Sequence, residues 1–463
     1  MLRRSLLLPL LLLATLAARP LLAVSIVIVN KDQPGTGLND PTPVAPVGGN
    51  SGTTLGQQRL IVFQQAAAIW GGLLTSTVPI RVSASFVPLT CSATTGVLGS
   101  TFANTVYSDF TGAPVAGTWY PKGLANKFVG SDLDGATFDM TAQFNSSLGQ
   151  TGCLTGTSFY LGLDNNHGAN VNFLTIALHE FAHGLGFFTG VDSTGALLGA
   201  TSSPPTPLPT IFDRLIYDDT FGKTWDKLTA AERATSQVNT GNLSWSGTAA
   251  NEFAASYLGK RRRLLVTAPP ASAATYSVGT ASFGPALSNP GVTGQIVPAT
   301  SGLATDGCSA ITSNVSGRIA LMDRGTCSFV IKVKNAQNAG ALAAVIADNT
   351  AEGIFGMSGT DATITIPSVL VTLSDGATLR ANPPASANLG TDATLLAGAD
   401  AAGRMLLYAP NPRESGSSVS HFDTTAFPNL LMEPNISSDL PIGVDATLPV
   451  FNDIGWFAGT SGP

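Results

Sequence analysis

The chain has 463 residues, of which 44% are apolar and only 11% charged, with 50 glycines and 29 prolines. That length implies two or three domains, and the small, turn-forming remainder favours β-structure over long solvent-laced helices. With 23 basic against 29 acidic residues and a net charge of -6, the basic excess of a nucleic-acid-binding surface is missing, which argues against nucleic acid as a partner.

The N-terminus reads as a signal peptide, residues 1–23. Arg3 and Arg4 form a positive start, and an apolar run over 6–18 is interrupted only by Pro9 and Thr15. Small residues at Ala18 and Ala23 offer cleavage points, with the bond after Ala23 favoured. The run is short for a membrane span, and no later stretch is long and apolar enough to be one. A protein secreted to the extracellular space or periplasm is expected, with no transmembrane segment after cleavage.

Residues 24–30 (VSIVIVN) predict a strand, and a Gly/Pro/Asn-rich loop runs to about 54. Residues 55–74 carry Leu60, Phe63, Ala67 and Trp70 at helical spacing, and 79–89 alternates through Ile80, Val82, Phe86 and Val87. Strand, helix and strand imply one βαβ-like layer. Short strands are expected at 136–144 and 158–163. Over 171–183 the period changes: Leu174, Leu178, Phe181, Ala182 and Leu185 form an apolar side, and Thr175, His179 and His183 line another. Asn170 is the expected N-cap, with Gly184 and Gly186 ending the helix.

Residues 202–209 (SSPPTPLP) read as a loop, and 211–234 as partly helical. The one dense basic run, Lys260-Arg261-Arg262-Arg263, reads as a solvated loop at a domain edge, or else as a processing site. From 265 to 396 short β-runs alternate with turns. Strands at 318–322, 341–347 and 366–371 and helices at 329–339 and 375–380 imply a separate small α/β domain. From Met405 the chain returns to the first domain. Four cysteines fit an oxidising compartment. Local pairing, Cys91 with Cys153 and Cys308 with Cys327, is the simplest of three connectivities, and no C-x-x-C spacing supports a cysteine zinc site.

The motif His179-Glu180-Phe181-Ala182-His183 carries the chemistry. Residues four apart share a helix face, so the two histidines can offer imidazole nitrogens to a single ion. Glu180 points to the flank of that ion, where it can serve as general base toward a water the metal activates and then return the proton to the leaving amine. Two of the chain's four histidines complete the pattern where a helix is independently expected. The bland reading is a pair of ordinary core or surface histidines.

A catalytic zinc takes three protein ligands and keeps one position open. The next glutamate after Glu180 is Glu232, too far along to be the third ligand of a compact site. Position 189 is Thr where H-E-x-x-H-x-x-G-x-x-H needs His. His167 and His421 remain. His167, in the loop Asp164-Asn165-Asn166-His167-Gly168, reads as a polar loop residue near the start of the helix. His421 precedes the turn Leu430-Leu431-Met432-Glu433-Pro434 and is the stronger candidate.

These elements resemble leishmanolysin-like metzincins: His179-Glu180-x-x-His183-x-x-Gly186-Phe187, a distant His421, and Met432 eleven positions after it. The resemblance covers about residues 24–210 and 400–457. It implies one catalytic Zn2+ held by His179, His183 and His421, Glu180 as general base, and Met432 as a structural turn residue supporting the site. The sequence departs from that family in two ways. No long pro-segment with an inhibitory cysteine is expected, since the first predicted strand begins almost at the signal cleavage site. The insertion is also larger, with His421 lying 238 positions after His183.

Most of that insertion resembles a protease-associated domain, on residues 317–329 (GRIALMDRGTCSF), 332–341 (KVKNAQNAGA) and 366–369 (IPSV). The expected fold is therefore α+β: a metzincin-type zinc peptidase catalytic domain, a twisted sheet plus active-site helix, in two parts (24–264 and 397–463). A small α/β protease-associated domain at 265–396 interrupts it. The expected activity is a secreted zinc metalloendopeptidase acting on proteins or peptides. The alternative is a non-catalytic binding or adhesion protein whose zinc is structural, a role that gives Glu180 no task.

Overall fold

The computed structural model describes residues 23–135, 137–199, 207–351, 354–437 and 439–457. The expected signal segment, Ala23 apart, and most of the 202–209 loop lie outside the described residues.

The chain opens with β1 (Ile26–Asn30), α1 (Leu55–Leu73) and β2 (Ile80–Val87), the two strands parallel and paired. Thr54 caps α1 by accepting from Gln57 N. β3 (Gly99–Ala103), α2 (Lys122–Val129) and β4 (Met140–Asn145) complete a four-stranded sheet in the order β1–β2–β4–β3, with β3 antiparallel at its edge. The strand at 136–144 thus begins only at Met140, because an Asp-rich turn precedes it.

Period-two alternation buries Ile80, Val82, Ala84 and Phe86 of β2 and Met140, Ala142 and Phe144 of β4 on one face. Helices α1 and α3 (Phe173–Leu185) cover that face. The Phe63 ring lies 4.8 Å from that of Phe144, 5.5 Å from Phe173 and 6.0 Å from Phe181. Burying each such side chain stabilises by about 1.5–3 kcal/mol. Trp70 Nε1 donates to Leu178 O at 3.0 Å, tying α1 to α3. Gly184 lets α3 lie close on the sheet, since a Cβ there would come 2.4 Å from Met140 Sδ.

Lys122, at the start of α2, is wholly buried and reaches Asp134 at 2.5 Å and Asp132 at 3.3 Å. Desolvation alone would raise the Asp134 carboxyl, but the Lys122 ammonium and the Thr137 and Tyr107 hydroxyls outweigh it and hold the group well below 3.8. A depressed carboxyl contributes stability above its unfolded value and loses it as pH falls. Lys122→Met is therefore expected to destabilise by about 2–4 kcal/mol at pH 7. It should also flatten the acid limb below pH ~4, both read by denaturant titration. A wild-type-like acid limb in the variant would count against this pairing.

Beyond α3 the 211–234 region is only partly helical: β5 (Ile216–Asp218) is followed by α4 (Ala230–Ser236), opened by a Thr229–Glu232 capping box. β6 (Leu243–Trp245) pairs antiparallel with β5, and α5 (Thr248–Tyr257) follows.

The inserted unit then begins, with β7 (Lys260–Ala268), β8 (Ala274–Ser277), β9 (Gly279–Thr280), β10 (Val292–Pro298) and β11 (Ile319–Asp323). After α6 (Phe329–Asn338) come β12 (Ala343–Ala347), β13 (Ser368–Val371), α7 (Leu373–Ala381) and β14 (Ala385–Leu396). These strands form one eight-stranded sheet, ordered β8–β7–β14–β10–β11–β12–β13–β9. Its parallel centre is buried on both faces, as continuous runs such as Ala343–Ala347 require. Ile319, Leu321 and Val345 enter one apolar cluster; Ala320, Met322 and Ile346 enter another.

The basic run is not a solvated loop. Lys260 pairs with Leu396 and opens β7, so the eight-stranded sheet begins at 260. Arg261 donates to Ala399 O, Arg262 stacks on Phe427 with 3.3 Å from guanidinium carbon to ring centre, and Arg263 faces Asp392 at 3.5 Å. Sheet pairing and these partners take up the charge and remove the extended, accessible backbone a processing enzyme needs.

The chain returns beside β6, with Trp245 N donating to Met405 O and Leu407 N to Leu243 O. It ends in α8 (Thr447–Ile454), and Trp456 Nε1 donates to Leu185 O at the end of α3. Disulfides join Cys91 to Cys153 and Cys308 to Cys327. Among the described residues no helix is long and apolar enough to cross a membrane.

Candidate active site

α3 is positioned by its ends. Asn172, not Asn170, is the N-cap: its Oδ1 accepts from Leu174 N at 3.0 Å and Thr175 N at 3.4 Å. Asn170 is engaged earlier, its Oδ1 accepting from Ser158 Oγ and its carbonyl meeting His167 Nδ1 at 2.8 Å. Gly186 closes the helix at φ 134°.

The helix brings His179 and His183 together with His421, and one ring nitrogen of each lies within 4.8 Å of the others. His167 is not part of this cluster. Each triad ring is oriented by a backbone carbonyl. His179 Nδ1 meets Leu431 O at 2.7 Å, His183 Nδ1 meets Phe187 O at 2.8 Å, and His421 Nδ1 meets Ser417 O at 2.7 Å. A nitrogen facing a carbonyl oxygen must carry the proton, which leaves every Nε2 as a lone pair. Burial pushes His179 down to about 3 and His183 to about 4, and lowers His421 strongly, so the rings are neutral.

Neutral rings leave lone pairs pointed at one another. His179 Nε2 and His421 Nε2 are 3.2 Å apart. Two acceptors at that distance repel unless a cation lies between them. A tetrahedral zinc bonded at about 2.0–2.1 Å would separate its nitrogens by about 3.3 Å. The donor set and its spacing fit zinc.

Glu180 is 5% exposed, and its Oε2 is buried with no hydrogen-bond partner. Burial raises its carboxyl to about 8, against a smaller opposing pull from the Thr101 hydroxyl. β3 runs beside it. A Cβ at Gly99 would lie 2.7 Å from Glu180 Cγ and Oε1, so that position has no room for a side chain. Gly99→Ala would therefore force the Glu180 carboxyl out of its present position.

Met432 is fully buried, and its carbonyl accepts from Phe422 N at 2.7 Å. Its turn reaches the triad through the neighbouring Leu431 carbonyl. Asp445 Oδ2 fixes that turn by accepting from Leu431 N at 2.6 Å, and Glu433 Oε1 accepts from Leu430 N at 2.8 Å. The orienting carbonyls of Leu431, Phe187 and Ser417 escape sequence reasoning, because any residue type supplies a carbonyl. Asp445 gives a faint signal as an aspartate two residues before α8.

β3 also offers an open edge. Asn145 N donates to Leu98 O and Asn104 N to Asp139 O, which sets the ladder's phase. The main-chain groups of Gly99, Thr101 and Ala103 therefore face away from β4, on the side where no other described strand pairs.

Comparison with known proteins identifies one part of the chain. Residues 292–379 match the family model described as PA domain. This segment lies within the inserted sheet, so the protein is a mixed α/β chain carrying a PA domain. Vacuolar-sorting receptor 7 of Arabidopsis thaliana is 39% identical over 90 residues, 16% of this chain and 14% of the receptor. The probable lipoprotein aminopeptidase LpqL of Mycobacterium tuberculosis is 40% identical over 114 residues, 24% of this chain and 21% of its own length. The chain thus spans about a fifth or less of these relatives. A receptor and a peptidase share the likeness, so the shared stretch does not select an activity. Among solved structures, BSAP, a zinc aminopeptidase from Bacillus subtilis, overlays at TM-score 0.24 and 20% identity, covering 32% of this chain and 37% of that one. At that TM-score the overlay carries no argument.

Proposed function

We propose that the protein is an exported zinc endopeptidase of metzincin type, in which the PA domain is an insertion in the catalytic unit. The observation that carries this reading is the convergence of three neutral imidazole lone pairs, with the neighbouring Glu180 carboxyl buried and one of its oxygens unpartnered. His179, His183 and His421 would hold the ion. When bound, zinc polarises a carbonyl and lowers the pKa of a coordinated water to about 7.

The chain's own residues do the rest. Glu180, next to His179 on α3 with one buried oxygen unpartnered, would accept a proton and pass it to the leaving nitrogen. The open edge at Gly99, Thr101 and Ala103 can bind an extended peptide by main-chain hydrogen bonds. Such binding needs no free chain end, which favours internal cleavage over aminopeptidase action. Two disulfides support an oxidising compartment and hence export.

The test is cleavage of an internally quenched peptide blocked at both ends, compared with an aminoacyl chromogenic substrate. The endopeptidase reading expects turnover of the first only, abolished by a chelator and restored by zinc. Turnover of the aminoacyl substrate alone would replace it with an aminopeptidase.

The relative that is a receptor favours a second reading, a PA-domain binding protein with a structural zinc. A structural site fills all four positions with protein ligands. The described residues bring three to this one.

A further inference from the structure

His183 and His421 come from chain segments separated by the whole inserted unit, so their spacing must be set by contacts rather than by connectivity. The segment bearing His421 is organised on its own side. Tyr408 N donates to His421 O at 2.9 Å, Val419 N to Tyr408 O at 2.7 Å, and Leu407 N to Leu243 O at 2.8 Å. None of these bonds involves the segment after α3, whose Phe187 carbonyl orients His183.

Among the described residues, one hydrogen bond links residues 184–199 with 405–423: Thr189 N donates to Ser420 Oγ at 3.1 Å, next to His421. The rings of Phe187 and Phe422 also touch, at 5.0 Å between centres. That contact adds apolar burial but little direction, whereas an N–H···O bond fixes register.

Thr189 is itself held from behind. Its hydroxyl donates to Asp213 Oδ1 at 2.6 Å and accepts from Val191 N at 3.0 Å. Asp213 has no exposure, and its Oδ2 takes Thr210 N at 2.9 Å and Gly190 N at 3.2 Å. A buried carboxylate with this many donors is rigid. Thr189 stands where a compact three-histidine motif would place its last ligand, and here it braces that ligand's replacement.

We propose that Asp213, Thr189 and Ser420 form a positioning unit that sets His421 against the active-site helix across the insertion. The proposal rests on the metal-site reading above. None of the three is a ligand; they act through the histidines.

The test uses the full processed chain and the variants Ser420→Ala, Thr189→Val and Thr189→Ser. Zinc affinity is measured by chelator competition, and ligand geometry by the visible spectrum of the Co2+-substituted protein. Ser420→Ala and Thr189→Val should each weaken zinc roughly tenfold, the low end for groups bonded directly to a metal ligand because these act one step further out, and shift the cobalt bands. Thr189→Ser should restore both. The double variant should be no weaker than the worse single one, since the residues act as one unit.

Wild-type affinity and cobalt spectra in folded Ser420→Ala and Thr189→Val would overturn the proposal, as would a loss that Thr189→Ser fails to restore. If Thr189→Val does not fold, Ser420→Ala decides alone, because it removes only a half-buried hydroxyl. A wild type that takes up no zinc would overturn the metal site itself, a result distinct from a loaded wild type with indifferent variants.

Discussion

Glu180→Gln is expected to keep its zinc and lose peptide hydrolysis by on the order of 10²–10⁴-fold, the usual contribution of a positioned general base. The amide keeps the shape of the side chain but cannot take a proton. The wild-type carboxyl is 5% exposed with one oxygen unpartnered, so the neutral amide adds no buried charge and the fold should not suffer. Retention of metal is part of the expectation, because Glu180 is not among the three converging ligands. Quenched-peptide turnover and metal content on one preparation separate the two effects. A loaded Glu180→Gln protein cleaving like wild type would remove the enzyme reading and leave the PA-domain binder.

His421→Ala has the second large effect. With one of three nitrogens gone, the remaining pair on α3 no longer encloses an ion, and zinc content after dialysis should fall from one per chain toward none. Zinc held at this site would stabilise wild type through its preference for the folded state, by about 4 kcal/mol at a thousandfold excess over Kd. The zinc-dependent rise in Tm should vanish with it. His167→Ala, whose ring sits by Asn170 O outside the triad, should stay loaded. If His167→Ala lost its zinc and His421→Ala did not, the ligand set would be wrong.

How much of this could be read from the sequence differs by level. The alternation in 80–87 and the four-residue spacing of His179 and His183 are local patterns, and both elements stand where those patterns put them. The N-cap was displaced by two residues because Asn170 and Asn172 have the same capping chemistry, and only the Asn170 bonds to Ser158 and His167 decide between them. Lys260-Arg261-Arg262-Arg263 misled because charge density marks exposure only when no partners exist. Here Phe427, Asp392 and a main-chain carbonyl, all distant in sequence, receive it.

Within the site, residue types that carry chemistry are legible and backbone groups are not. A count of four histidines narrows the third ligand to two. No count finds the carbonyls of Leu431, Phe187 and Ser417, or the absence of a side chain at Gly99 that makes room for Glu180. Thr189 was visible as a missing histidine, yet its link to Ser420 spans 231 positions and only folding reveals it.

A crystal structure of the zinc-loaded protein, with anomalous scattering recorded at the zinc edge, tests the central claim most directly. The expected result is a single ion bonded to Nε2 of His179, His183 and His421, with its fourth position open to solvent beside Glu180. An ion held elsewhere, or a fourth protein ligand closing that position, would contradict it.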